Sequence, residues 1–271
     1  MRFDLACLNY PPPNWVVPAL HTSNDQVSDV VVIGAGMAGL VATFSLLRNG
    51  IRNVRCLDRN TAGLEGPWVT YARMETLRSP KVLTGPAAGI PSLTFRAWFV
   101  AQFDAVEWDS LDKIPRVMWM DYLRWYRDVL ELPVENGVNV LRIDPLDGLL
   151  ALELAGGGRI VTRKVVMATG REGLGRPRIP DFMRDVPRSL WAHTSDAIDF
   201  AALRGKRVVV VGGGASAMDN AGEALEAGCA ELHMLVRRAT LPRINNRQPR
   251  IYQRLSRDER GSAVAHDALR R

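Results

Sequence analysis

A chain of 271 residues, 47% of them hydrophobic and 24% charged, can bury enough core for two modest domains and is too apolar for an unstructured polymer. No run reaches the roughly 18 apolar residues of a membrane-spanning helix, and Asp4 with Pro11, Pro12 and Pro13 interrupts the apolar stretch that a secretion signal needs, so a cytoplasmic protein without a membrane span is expected. The net charge of +6 does not imply nucleic acid, because ten Arg and three acidic residues fall after position 236, leaving 25 basic and 26 acidic residues in a body with no basic face or nucleic-acid motif.

The Pro-rich, aperiodic residues 1–28 predict an extended N-terminal arm. From Asp29, DVVVIGAGMAGLVATFSLLRNG reads as a strand, a glycine turn and a helix with Leu40, Phe44 and Leu47 on one stripe, stopped by Gly50. NVRCLD, Asn53 to Asp58, is the next strand. Residues 61–116 are rich in Gly, Pro and Trp with weak periodicity, which predicts ordered loops without regular layers. WMDYLRWYRDVLEL, Trp119 to Leu132, is an amphipathic helix carrying Leu123, Tyr126 and Leu130 on one side. VNVLRI, LLALEL and RIVTRKVVMATG, separated by Asp-Gly and Gly-Gly-Gly, predict a β-meander that returns into a buried strand. KRVVVVGGGASAMDNAGEALEAG and ELHMLVRR then repeat the strand, turn, helix, strand design, with Gly212 in the opening place that Gly34 holds in the first copy. Cys7, Cys56 and Cys229 are far apart, with neither C-x-x-C nor metal-ligand spacing, so no dithiol centre or metal ligand is expected.

The two glycine turns carry the chemistry. Gly34, Gly36 and Gly39 form G-x-G-x-x-G between strand and helix: the first permits a tight turn, the second lets the backbone approach a pyrophosphate, and the third lets helix and strand pack closely. Met37 and Ala38, between the second and third glycines, sit at a helix N-terminus whose free N–H groups suit phosphate. Asp58 ends the strand that follows this helix, where a carboxylate accepts hydrogen bonds from an adenosine ribose and repels a 2′-phosphate; with Arg59 beside it, this site should take FAD or NAD. In the second unit the turn is Gly212, Gly214 and Ala217, and the strand after its helix runs into Arg237 and Arg238, at the place that Asp58 holds in the first. Guanidinium groups there suit a 2′-phosphate and hence NADPH, with a solvated basic strand end as the alternative. Two dinucleotide sites of opposite ribose preference imply electron transfer from NADPH to a flavin.

These residues resemble the class B flavin-dependent monooxygenases, the superfamily of flavin-containing, Baeyer–Villiger and N-hydroxylating enzymes. The resemblance rests on VVVIGAGMAGL, the GPW at Gly66 to Trp68, VVMATG at Val165 to Gly170, RPRIP, and VVVVGGGASAMD at Val208 to Asp219, and spans residues 29 to about 244. It implies an α/β fold of two Rossmann-like dinucleotide-binding domains in three layers, with FAD on Gly34, Gly36, Gly39 and Asp58, Trp68 near the flavin, Thr169 and Gly170 closing over it, and NADPH on the second turn. It further implies oxygenation of a small organic substrate through a peroxyflavin. Structural explanations stand beside each role: Trp68 as a buried aromatic, Thr169 and Gly170 as a strand-end turn, Ser216 and Asp219 as helix caps. The seven residues ending at His193 read PRSLWAH where Baeyer–Villiger enzymes carry F-x-G-x-x-x-H, which argues against a strict Baeyer–Villiger assignment and for a packed histidine.

By the same resemblance the chain should return from the second domain to complete the first. It stops soon after Arg238, at Arg271, in an Arg-rich, aperiodic run, so the second domain is expected to be incomplete and the chain a truncated or frame-shifted family member. The expected organisation is therefore the arm at 1–28, an FAD-binding domain with loop-rich insert and meander at 29–190, a partial NADPH-binding domain at 191–240, and a tail at 241–271. A non-oxygenating NADPH:flavin reductase or oxidase, and a nucleotide-binding remnant without turnover, remain open beside the monooxygenase. No side chain is singled out as an acid, base or nucleophile, and neither substrate nor oligomeric state is legible.

Overall fold

The computed structural model describes residues 1–19, 26–173, 175 and 177–240; the tail expected at 241–271 lies outside them. The chain divides into two compact units. One comprises Met1–Thr70, Val82–Trp108 and Pro115–Pro180, the other Tyr71–Lys81, Asp109–Ile114 and the chain from Asp181 onward. Two pieces of the loop-rich insert thus cluster with the second glycine-turn unit and not with the first.

The start of the chain is not an extended arm. Arg2–Cys7 forms a short helix, α1, with Leu5 buried. Tyr10 packs its ring 5.2 Å from that of Phe44 and donates its hydroxyl to the Leu130 carbonyl at 3.0 Å. The helix precedes the prolines, and apolar burial of Leu5 and Tyr10 holds this start against the chain.

The first unit is built on a six-stranded sheet. Val27–Ile33 (β1) leads through the glycine turn into Met37–Arg48 (α2), and Val54–Asp58 (β2) returns parallel to β1. The insert contains two helices that periodicity alone did not reveal, Phe95–Gln102 (α3) and Ala105–Ser110 (α4). Their cause is aromatic burial: Phe95 lies within 6.2 Å, centroid to centroid, of Trp98, Phe99, Trp108, Trp119 and Tyr122. The Thr94 hydroxyl caps α3 by accepting from the Ala97 amide at 3.1 Å.

Arg116–Val129 (α5) begins three residues before the expected helix and buries Trp119, Tyr122, Leu123 and Tyr126. Burial pushes the phenols of Tyr122 and Tyr126 well above their ordinary range, and each donates its hydroxyl to a carbonyl, Leu93 at 2.6 Å and Pro86 at 2.8 Å. A three-residue strand, Val134–Asn136 (β3), adds parallel to β2. The meander follows as Val140–Leu146 (β4), Leu149–Leu154 (β5) and Arg159–Met167 (β6), giving the order β3-β2-β1-β6-β5-β4. One half of β6 pairs antiparallel to β5, and the strand also runs parallel to β1, so the meander grows directly from the parallel sheet. Val30, Val32, Val54 and Cys56 meet Ala42 and Leu46 of α2 on one face, while Val31 and Leu57 pack with Leu152 and Ile160 of the meander on the other. α2 thus covers one face of the parallel strands, and apolar side chains of the meander pack on the other. Gly170–Gly173 (α6) follows β6 at once.

In the second unit, Arg207–Val211 (β7), Ala215–Glu226 (α7) and Glu231–Leu235 (β8) form the expected repeat, with β7 and β8 parallel in the register Val209 to His233. Among the described residues this is a two-stranded sheet. No described helix is long and apolar enough to cross a membrane.

Candidate functional site

The first glycine turn has the geometry its motif demands. Gly34 adopts φ +100°, and a Cβ there would fall 2.5 Å from the Ala168 carbonyl oxygen. At Gly39 a Cβ would sit 1.7 Å from the Gly34 oxygen, so no side chain fits. Gly36 caps α2 in an ordinary conformation, φ −66°, and a Cβ there would find nothing nearer than Gly66 Cα at 3.7 Å. The first and third glycines are therefore required by the folded chain. The second is not: a Cβ on it would make only an ordinary contact with the Gly66 backbone.

Three other pieces of sequence converge on that turn. The Asp58 side chain is buried, and its Oδ2 accepts from the Ala35 amide within the turn at 2.8 Å while Oδ1 accepts from the Asn60 amide at 2.8 Å. The acid expected to face a ribose thus also fastens the turn, and each oxygen keeps a lone pair beyond the one engaged. Ala168 and Thr169 of the A-T-G segment lie against Gly34, and Thr169 Oγ1 is buried without a hydrogen-bond partner. Gly170 adopts φ +72° at the start of α6. Gly66 of the GPW segment lies against Gly36, and Trp68 follows with a buried indole N–H that has no partner. Met37 and Ala38 are exposed on the first turn of α2, and Arg59 is exposed beyond Asp58.

Several residues near this site carried no sequence signal. Trp119, on α5, meets Trp68 edge-on at 6.1 Å and holds a second buried, unpartnered indole N–H. Arg116 Nη1 donates to the Trp68 carbonyl at 2.7 Å. A cavity of about 380 Å³ opens beside Ala35 and Leu40, walled by Gly63, Glu65, Arg124 and Arg127. Cys56, beneath the turn, has its thiol pushed up to about 11 by burial.

These features fit a dinucleotide: an uncrowded helix N-terminus, a carboxylate at the end of β2, and buried hydroxyl and indole groups that lack partners in the chain itself.

The second turn is the looser copy. Gly212 adopts φ +131°, and a Cβ on it would stand 3.5 Å from that of Ala217, an ordinary contact, which is why alanine serves in the third place. Gly214 caps α7 with open space around it. Neither Ser216 nor Asp219 caps the helix: Ser216 is exposed, and Asp219 takes Arg78 Nη2 at 2.6 and 2.8 Å on its two oxygens. Asn220 is buried and donates Nδ2 to the Ser216 carbonyl. β8 ends at Leu235, two residues before Arg237 and Arg238, both of which are exposed.

His193 belongs to a local turn. Its Nδ1 lies 2.7 Å from Ser195 Oγ and accepts from the Ser195 amide, while its own amide donates to Asp196 Oδ2 at 2.7 Å. Burial would raise the Asp196 carboxyl, but the His193 amide and the Arg188 guanidinium hold it below its ordinary value. His193 is half-buried and engaged within this turn. Among the described residues Cys7, Cys56 and Cys229 are free, and no cluster of His, Cys, Asp and Glu is set to hold a metal ion.

Two strand, glycine turn and helix units, one closed by an acid and one followed by arginines, define an α/β protein of the dinucleotide-binding class. The chain belongs to the pyridine nucleotide-disulphide oxidoreductase family, whose profile matches residues 31–264. It is 50% identical over 248 residues to the FAD-dependent urate hydroxylase of Xanthomonas campestris pv. campestris, a match covering 90% of this chain and 52% of that protein. A flavin-containing monooxygenase from Stenotrophomonas maltophilia superposes with a TM-score of 0.57 at 25% identity, over 78% of this chain and 58% of that one. The ornithine hydroxylase of Pseudomonas aeruginosa shares the fold with a TM-score of 0.66 at 22% identity, over 90% and 64%. The resemblance to flavin monooxygenases read from the motifs is thus borne out. The chain spans about half the length of the curated relatives it matches.

Proposed function

We propose that this chain carries the two nucleotide-binding units of an FAD-dependent, NADPH-consuming monooxygenase of a small organic substrate, with urate the first substrate to try. The observation that carries the reading is the pair of glycine turns of opposite ribose-end chemistry, Asp58 after the first and Arg237 with Arg238 after the second. Half-identity to a urate hydroxylase supports the flavin, the oxygen and the substrate together.

FAD, when bound, supplies the electron transfer and the activation of oxygen. The chain's residues bind and orient. The bare Gly36 lets a pyrophosphate reach the free amides at the start of α2. Asp58 offers its remaining lone pairs to ribose hydroxyls, and its charge repels a 2′-phosphate. The indole N–H groups of Trp68 and Trp119 and the Thr169 hydroxyl wait for partners beside that path. Arg237 and Arg238, in the second unit, offer bidentate hydrogen bonds to a 2′-phosphate. A dithiol relay of the kind the family name mentions has no support in three free cysteines.

The test is oxygen uptake coupled to NADPH oxidation in the presence of FAD, with and without urate. Urate-dependent uptake with one oxygen atom appearing in product supports the reading. NADPH oxidation that no substrate stimulates points to a flavin reductase instead.

A further inference from the structure

The loop between Asp58 and Trp68 has no regular element, yet one buried carboxylate ties it to two others. The Glu65 side chain is 6% exposed, against 37% and 40% for the Arg55–Glu135 pair between β2 and β3. Its Oε1 accepts from Arg127 Nη1 of α5 at 2.8 Å and from Asn136 Nδ2 at the end of β3 at 2.7 Å, and its Oε2 accepts from the Gly63 amide at 2.9 Å. Arg127 also donates to Asn136 Oδ1 at 2.9 Å, and Asn136 Nδ2 to the Asn60 carbonyl at 3.1 Å. Arg124 closes the same loop from α5 by donating to the Gly63 carbonyl at 2.8 Å.

A buried ion pair is a weak device for stability, since apolar residues of similar volume usually serve as well. This one does something they cannot: it fixes a loop by direction. The residue after Glu65 is Gly66, whose backbone lies over Gly36, and both Glu65 and Arg127 wall the cavity that begins at Ala35. The clamp therefore sets where the loop lies against Gly36, the one glycine of the first turn's motif whose bareness the fold does not require.

We propose that Glu65 is a positioning residue of the first dinucleotide site, holding with Arg127 and Asn136 the segment from Asn60 to Trp68 at the distance from Gly36 that admits a pyrophosphate. The proposal rests on the FAD reading above. Glu65 acts through the loop and not by contact with the cofactor.

The experiment titrates FAD into the whole 271-residue chain and its variants, following flavin fluorescence, with NADPH affinity and thermal melting measured on the same samples. Glu65→Gln removes the acceptor facing Gly63 and the charge facing Arg127, and it weakens FAD binding about tenfold to a hundredfold, the range for a hydrogen bond to a charged group. NADPH affinity stays at the parent value. The double variant Glu65→Gln/Arg127→Gln leaves no uncompensated buried charge, so it melts nearer the parent while still binding FAD weakly. Arg55→Gln breaks a neighbouring pair that does not touch the loop, and it retains FAD affinity despite its own loss of melting temperature. Parent-like FAD affinity in the Glu65 variants overturns the proposal alone, as does an Arg55 variant that loses FAD in step with its melting temperature. A parent chain that binds no FAD overturns both the proposal and the reading beneath it.

Discussion

Replacing Gly36 and Gly39 by alanine, one at a time, separates what the first glycine turn needs for folding from what it needs for binding. At Gly39 the new methyl would stand 1.7 Å from the Gly34 oxygen, roughly half an ordinary carbon–oxygen contact, and both groups are backbone, so α2 must shift away from the end of β1. Forced overpacking of this kind costs about 3 kcal/mol or more, which lowers the melting temperature by about 6–12 °C for a protein of this size. At Gly36 the methyl meets nothing within 3.7 Å and the backbone already has φ −66°. Alanine is a poorer helix cap than glycine by several tenths of a kcal/mol or more, but it loses less entropy on folding by about 0.4–1 kcal/mol, so the two terms offset. Gly36→Ala should therefore melt within a few degrees of the parent while its methyl occupies the space a pyrophosphate would enter, weakening FAD binding about tenfold to a hundredfold. The assay is a thermal melt paired with an FAD titration of each variant. A Gly36→Ala chain that binds FAD like the parent, or a Gly39→Ala chain that melts like it, refutes the reasoning.

Other predictions follow from the remaining contacts. Changing Arg237 and Arg238 together to Ala should cut the preference for NADPH over NADH about tenfold to a hundredfold, the worth of charge-assisted hydrogen bonds to one phosphate; an unchanged preference in binding titrations would return them to solvated surface. With its thiol pushed up to about 11 by burial, Cys56 should resist a disulfide reagent at pH 8, where the exposed Cys7 reacts, and mass mapping of the labelled chain would show which was modified. The Asp196 carboxyl is held below its ordinary value of 3.8, so its contribution to stability is present above that pH and lost as pH falls through the lowered value. Asp196→Asn should accordingly lower the denaturation midpoint at neutral pH, and the difference should close in strong acid.

The elements that sequence made visible are those whose periodicity or punctuation is local. β1, the first glycine turn and α2 follow from Val30–Val32, Gly34 and the Leu40, Phe44, Leu47 stripe within one short window, and β7, α7 and β8 repeat the pattern. Asp58 was legible because the end of a strand is a fixed distance from the turn it serves. α3 and α4 were not, since Phe95 and Trp98 of α3 bury against Trp119 and Tyr122, which are supplied from α5, and Trp108 of α4 buries in turn against Phe95 and Phe99. The helix at the N-terminus was hidden because Tyr10 finds Phe44 and Leu130 only after the chain has folded. Glu65 was invisible for the same reason: its partners lie 62 and 71 residues away. The acid in GLEGPW, directly before the glycine that meets the turn, is the one cue that could have been followed.

The most direct test of the account is the visible spectrum of the purified chain with FAD, recorded anaerobically before and after NADPH. A protein-bound flavin spectrum that bleaches when NADPH is added and returns with oxygen is the expected result. A chain that stays colourless and binds no added FAD would contradict it.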